Sequence, residues 1–195
     1  MIYVTAPDVK ETPMGVTIVN PTSHEAAPRS IARATAPDLT GLTVGFLSNS
    51  KMNADKVLEG VAAALVREYA ITPRLYAKRV PSIAATDELL DQIAAECDAA
   101  VVAMLDCGSC ASWAVADMAA LATRGLPVTG MASTQFEGFS RQVLAIQGAD
   151  ALGLSVVQHP IGGIAPQEAF ERVTPAAVDT VVAALTTAAE KEHTA

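Results

Sequence analysis

An α/β fold, with a parallel sheet covered by helices on both faces, is the architecture this 195-residue chain predicts. Three observations lead there. From residue 39 onward, short apolar runs alternate with longer segments of helical periodicity. The runs are continuously apolar, as strands buried on both faces must be. Alanine and valine dominate and aromatic residues make up only 4%, so helices and sheet are suited to close packing.

The first strand is Leu42-Thr43-Val44-Gly45-Phe46-Leu47. Asn53, a residue type that caps helices, opens a helix running to about residue 69. Val57, Leu58, Val61, Ala62, Leu65 and Val66 share one face of it. Residues 72–78 form a weaker second strand. Thr86 caps the next helix, and Asp87 and Glu88 occupy its first turn, where the helix dipole favours acids. That helix ends near Cys97, which reads as structural. Ala99-Ala100-Val101-Val102-Ala103-Met104-Leu105 is the third strand and the most buried in character. A helix follows from Ser109 or Ser112 to Thr123, closed by Gly125 and stopped by Pro127. Residues 128–132 are the fourth strand, 136–147 a helix, 154–158 the fifth strand, and 175–191 a final amphipathic helix. About five such units make residues 39–195 a single domain, a flavodoxin-like doubly wound three-layer sandwich.

Residues 1–38 stand apart. They carry Pro7, Pro13, Pro21, Pro28 and Pro37, and one strand-like burst at Gly15-Val16-Thr17-Ile18-Val19. They read either as an extended N-terminal arm that wraps the domain or a neighbouring subunit, or as a poorly ordered tail. The arm reading points to a homo-oligomer.

The formal net charge of -8 argues against a nucleic-acid binder, which would show a basic stripe, and against an anionic membrane surface. No apolar run reaches the ~18 residues of a membrane span, and the first residues lack a basic segment followed by an apolar one. The expected compartment is the cytoplasm, where thiols stay reduced. Three cysteines do not make a disulfide scaffold there, and a reactive or redox role fits better.

Right-handed crossovers gather the carboxyl ends of the strands on one edge, where ligands of such sheets bind. After strand one come Asn49, Lys51 and Asn53, and after strand two Lys78. After strand three come Asp106, Cys107, Gly108, Ser109 and Cys110, with Ser112 and Trp113 just beyond. After strand four come Ser133 and Thr134, and after strand five His159. These define a candidate pocket for a small-molecule substrate. The opposite edge carries no comparable set.

Two intervening residues put Cys107 and Cys110 within disulfide reach in a helical turn. Cys107 falls at a helix N-terminus, where unpaired N–H groups and the dipole favour a thiolate and lower its pKa to roughly 3.5–7.5. In an oxidoreductase of this layout the first cysteine attacks and the second resolves. The plain alternative is a pair of small buried hydrophobes. Zinc would need four ligands, and only Cys107, Cys110 and His159 are plausible, so no metal is expected. Residues 48–53 give FMN only generic Ser and Asn content. Gly162-Gly163 is no phosphate loop, so no cofactor is expected.

Asp106 either orients the turn, accepts a proton, or caps the helix. His159 is a general acid/base or a hydrogen-bonded rim residue. Lys51 and Lys78 pair with a substrate anion or the thiolate, although surface lysines commonly do neither. Trp113 walls the pocket or, as is commoner, packs in the core.

Asp106-Cys107-Gly108-Ser109-Cys110-Ala111-Ser112-Trp113 resembles the signature of the UGSC-motif (seleno)protein family, whose members carry selenocysteine or cysteine at the position of Cys107. Leu47-Ser48-Asn49-Ser50-Lys51-Met52-Asn53-Ala54-Asp55 is similar to that family's L-x-N-x-K-x-N-A-D segment. Glu96-Cys97-Asp98-Ala99 and His159-Pro160 match further anchors, so the resemblance covers roughly residues 39–170. It implies a redox or thiolate-dependent site at Cys107. Selenium in place of sulfur serves nucleophilicity or redox exchange, not packing. Two positions depart from the family pattern: Ala111, where a threonine is expected, and Ala116, where a polar residue or histidine is expected.

Three functions follow as expectations. The first is a thiol-dependent oxidoreductase, with Cys107 attacking, Cys110 resolving, and a thiol reductant closing the cycle. The second is non-redox covalent catalysis by Cys107: a lyase, hydrolase or transferase acting on a small anionic or carbonyl substrate. The third is an accessory subunit without catalysis.

Overall fold

Apolar runs buried on both sides form the five strands of a wholly parallel sheet. A computed structural model describes residues 30–187. The strands are β1 (Thr43–Ser48), β2 (Thr72–Ala77), β3 (Ala99–Leu105), β4 (Val128–Ser133) and β5 (Gly153–Val157). Their order across the sheet is β2-β1-β3-β4-β5, every pair parallel. This is the doubly wound order, and its winding reverses between β1 and β3.

The helices are α1 (Ala54–Tyr69), α2 (Asp87–Glu96), α3 (Gly108–Thr123), α4 (Glu137–Ile146), α5 (Pro166–Glu171) and α6 (Pro175–Leu185). α1 and α6, with Ala169 of α5, bury their apolar residues on one sheet face. α2, α3 and α4 do so on the other. β3 lies between the two cores, and all its residues are buried. Small residues allow the close approach: a Cβ on Gly130 would sit 2.6 Å from Met118 Sδ, so α3 presses on β4 only because Gly130 has none.

β2 is the exposed edge. Thr72 and, just past the strand, Lys78 turn their N–H groups to Leu42 and Ser48. Pro73 therefore occupies an outward register position, where a missing N–H costs no ladder bond.

The expected elements occur in order, with differences of physical origin. α3 starts at Gly108, earlier than Ser109, because Cys107 takes the cap. Gly125 adopts φ 84 just past that helix, as a left-handed stop requires. α6 ends at Leu185, because Thr186 forms an isolated bridge with Ala36. The short helix α5 has no counterpart in the sequence reading. Residues 30–38 pack along the domain through Ile31, bonded to Gly148, and the buried Ala36. The strand-like burst at 15–19 lies outside the described residues.

Candidate active site

The reversal of winding opens a crevice between the loops that follow β1 and β3. Asn49 builds its floor. This fully buried side chain donates Nδ2–H to the Met104 carbonyl at 2.9 Å, and its Oδ1 accepts the Met104 N–H at 3.0 Å. The same Oδ1 accepts the Lys51 N–H. Asn49 thus stitches the β1 loop to β3 where the strand register shifts between Ala103 and Leu105. It was expected to bind substrate, but it has no free surface with which to do so.

Asn53 also differs from expectation. It stands at the N-cap of α1, yet with φ 65 its side chain caps nothing. Its amide instead donates to the carbonyls of Ile161 and Ile164, holding the loop after β5. Lys78 is the third such case. Its ammonium is buried against Asp117 of α3 and donates to the Ile83 carbonyl. Asp117 also accepts the Ala85 N–H at 2.8 Å. Burial raises the Asp117 carboxyl pKa, against the pull of Lys78 and Ala85. This pair pins the β2–α2 loop to α3 and leaves Lys78 no charge to offer a substrate.

Cys107 is the N-cap of α3. Its sulfur accepts the Cys110 N–H at 3.2 Å and is joined to Cys110 as a disulfide, with 5.2 Å between the Cα atoms. Ser109 Oγ lies 3.8 Å from the same sulfur. Gly108, the first residue of the helix, has open space where a side chain would be. Ser112 Oγ donates to the Gly108 carbonyl, which braces the first turn. Trp113 is 41% exposed, so the expectation of core packing is corrected. Cys97 is buried and free, in contact with Tyr76 Oη, and burial raises its thiol pKa.

Asp106 does not cap the helix, because Cys107 does. Its carboxylate, 2% exposed, organises the crevice instead. Oδ1 lies 2.8 Å from His159 Nδ1, and Oδ2 accepts the Gly162 N–H at 3.2 Å. Lys51 Nζ stands 3.8 Å from Oδ2. The buried Ser133 hydroxyl lies 3.1 Å from the same His159 nitrogen, and Thr134 Oγ1 accepts the His159 backbone N–H. Phe136 stacks obliquely on the ring at 5.9 Å. An Nδ1–H bond to Asp106 leaves Nε2 of a neutral ring as an acceptor, and Nε2 has no partner among the described residues.

Burial alone would push the Asp106 carboxyl up. The Ser133 hydroxyl, Gly162 N–H, His159 and Lys51 outweigh it and hold the carboxyl below the ordinary aspartate range. A native pKa below the unfolded one means that the unfolded state binds more protons between the two. Stability from Asp106 is therefore complete above the unfolded value of about 3.9 and is lost as pH falls through the native one. Asp106→Asn should cost about 1–3 kcal/mol at pH 7. Urea midpoints of variant and wild type should converge toward pH 3. A gap that stays constant with pH would contradict this.

Asp106, Cys110, His159 and Lys51 line one open cavity of about 520 Å³, together with Pro81 and Pro160. Of the sequence-derived candidates, these four meet there. Ser133 and Thr134 support His159 from behind. The sequence reading missed Pro81 and Asp117. Only Asp117 carried a signal, as the single charged residue of α3.

The UGSC family model matches residues 17–187. The chain belongs to the UGSC family. No curated protein matches it. In this UGSC-family chain Cys107 is the residue that caps α3, next in sequence to the Asp106 that pairs with His159. Among the described residues, no group of three or more His, Cys, Asp or Glu is arranged to hold a metal ion. No described helix is long and apolar enough to cross a membrane.

Proposed function

We propose that this UGSC-family protein is a thiol-dependent oxidoreductase acting on a small molecule, with Cys107 as nucleophile and Cys110 as resolving cysteine. The observation that carries this reading is the placement of Cys107 Sγ as the cap of α3, accepting the Cys110 N–H and within bonding distance of Cys110 Sγ. A sulfur at a helix N-terminus is stabilised as the thiolate.

The step balances as thiol–disulfide exchange. The Cys107 thiolate attacks one sulfur of a substrate disulfide. A new S–S bond forms, the substrate S–S bond breaks, and the leaving thiolate takes a proton, for which His159 is the available donor once protonated. Cys110 then attacks Cys107 Sγ. The second substrate thiol leaves, and the Cys107–Cys110 disulfide holds the two-electron oxidation. A thiol reductant returns the pair to the dithiol.

The Asp106–His159 pair also favours a second reading. An oriented imidazole with a free Nε2 is what a Cys107-dependent lyase, hydrolase or transferase would use to move protons. Lys51 would then hold an anionic or carbonyl oxygen. The second reading needs Cys107 but not Cys110.

Iodoacetamide labelling of the reduced protein against pH, resolved by peptide mass spectrometry, tests the thiolate. Cys107 should react with an apparent pKa at least about one unit below the 8.5 of a free thiol, while Cys110 and Cys97 lag. A Cys107 that titrates as an ordinary thiol would sink both readings.

A further inference from the structure

A second cavity, of about 450 Å³, adjoins the first. Phe46 and Leu58 line it, as does Leu75 of β2, and Ser50, Lys51 and Met52 border it. Those last three residues also line the cysteine cavity. The two cavities are therefore chambers of one cleft, and residues 50–52 form the saddle between them. The saddle is well held: Ser50 Oγ donates to the Lys78 carbonyl, the Lys51 N–H bonds Asn49, and Met52 Sδ accepts the Gly163 N–H.

The first chamber presents Lys51, His159 and Asp106. The second has apolar walls under a polar and charged rim, and its size suits a small ligand rather than a protein segment. Its walls include Leu75 and Met52, 66% and 64% exposed, two large apolar side chains bordering one concave space. Its rim carries Asp55 and Glu59, with Lys56 3.4 and 2.7 Å from them. Lys51, which also borders the chamber, balances the count, so two cations face two carboxylates there.

We infer that the substrate has two parts: a small polar reactive head in the cavity lined by Cys110, His159 and Lys51, where Cys107 Sγ adjoins Cys110 Sγ, and an apolar tail lodged between α1 and β2. This rests on the reading of Cys107 as the reactive thiol.

N-alkylmaleimides probe it on the reduced full-length protein. The Cys107 sulfur adds to one alkene carbon, and water protonates the other, so the adduct is permanent and Cys110 cannot displace it. Rates at Cys107 are compared for methyl, butyl and octyl reagents, each normalised to its rate with a small free thiol. Burial of several methylenes should make octyl about tenfold or more faster than methyl. Leu75→Glu, on an exposed edge strand, should flatten the length dependence, and the milder Leu75→Ser should reduce it partway. Equal normalised rates for methyl and octyl would overturn the inference, as would a length dependence that survives Leu75→Glu. If Cys107 meets methylmaleimide no faster than an ordinary thiol does, the thiolate reading fails. The octyl-to-methyl ratio still reports on the tail chamber in that case, so the two failures are distinct.

Discussion

Cys107→Ser is expected to lower turnover by on the order of 10⁴-fold or more, because a hydroxyl in the same place is neither ionised near neutral pH nor able to exchange with a disulfide. The assay uses a low-molecular-weight disulfide with a dithiol reductant. Cys110→Ser then separates the two proposed mechanisms. Under thiol–disulfide exchange and with the dithiol left out, the reduced variant releases one equivalent of substrate thiol in a burst and stops as a mixed disulfide on Cys107, visible by intact mass. Under non-redox covalent catalysis neither the wild type nor Cys110→Ser reduces the disulfide catalytically, and only Cys107 is needed for turnover of an anionic or carbonyl substrate. Sustained turnover in Cys107→Ser would remove the cysteine from the chemistry altogether. Cys110 is well placed for resolution because it sits one helical turn from Cys107 and is almost wholly shielded from solvent. It meets the adduct on Cys107 before most external thiols do.

The second large effect is on stability. Asp117→Ala should destabilise the fold by about 3–5 kcal/mol, because it leaves the Lys78 ammonium, 3% exposed, without its counter-charge. For a chain of this size that is a fall in melting temperature of roughly 6–20 °C. Lys78→Met combined with Asp117→Leu should recover a large part of the loss, since replacing both charges removes the desolvation penalty along with the attraction. Recovery stays incomplete because the Ala85 N–H and the Ile83 carbonyl lose their partners. A single mutant as stable as wild type in thermal or urea unfolding would contradict the account.

The layered fold was legible because its causes are local. Continuous apolar runs identify strands buried on two faces. The Thr86 cap and the Gly125 stop are chemical signals carried by single residues. Helix α5 was not legible, since six residues hold too few turns to show a period. At the site, the rule that ligands bind at carboxyl ends of strands brought Lys51, Asp106, Cys110 and His159 to one edge, and they do line one cavity. That rule assigns an edge but not a direction of pointing. Asn49, Asn53 and Lys78 sit at the correct edge and face inward, where backbone groups and Asp117 take up their polar atoms. Met104, Ile161, Ile164 and Asp117, which hold them, lie 39 to 111 positions away in sequence, beyond the reach of any local pattern. For Trp113 the size of the side chain suggested burial, but its place on α3 faces solvent.

The Asn49 clasp has a consequence for how this protein can diversify. It anchors the β1 loop through main-chain atoms of Met104 and Lys51, so the backbone path of residues 50–52 does not rest on the Met52 side chain alone. Met52 and Leu75, which shape the second chamber, can then vary while Asp106, His159 and the two cysteines keep their arrangement. Such a separation lets one reactive centre be retained across a lineage while its ligand preference drifts. It also makes a two-position library at Met52 and Leu75 a compact starting point for directed evolution.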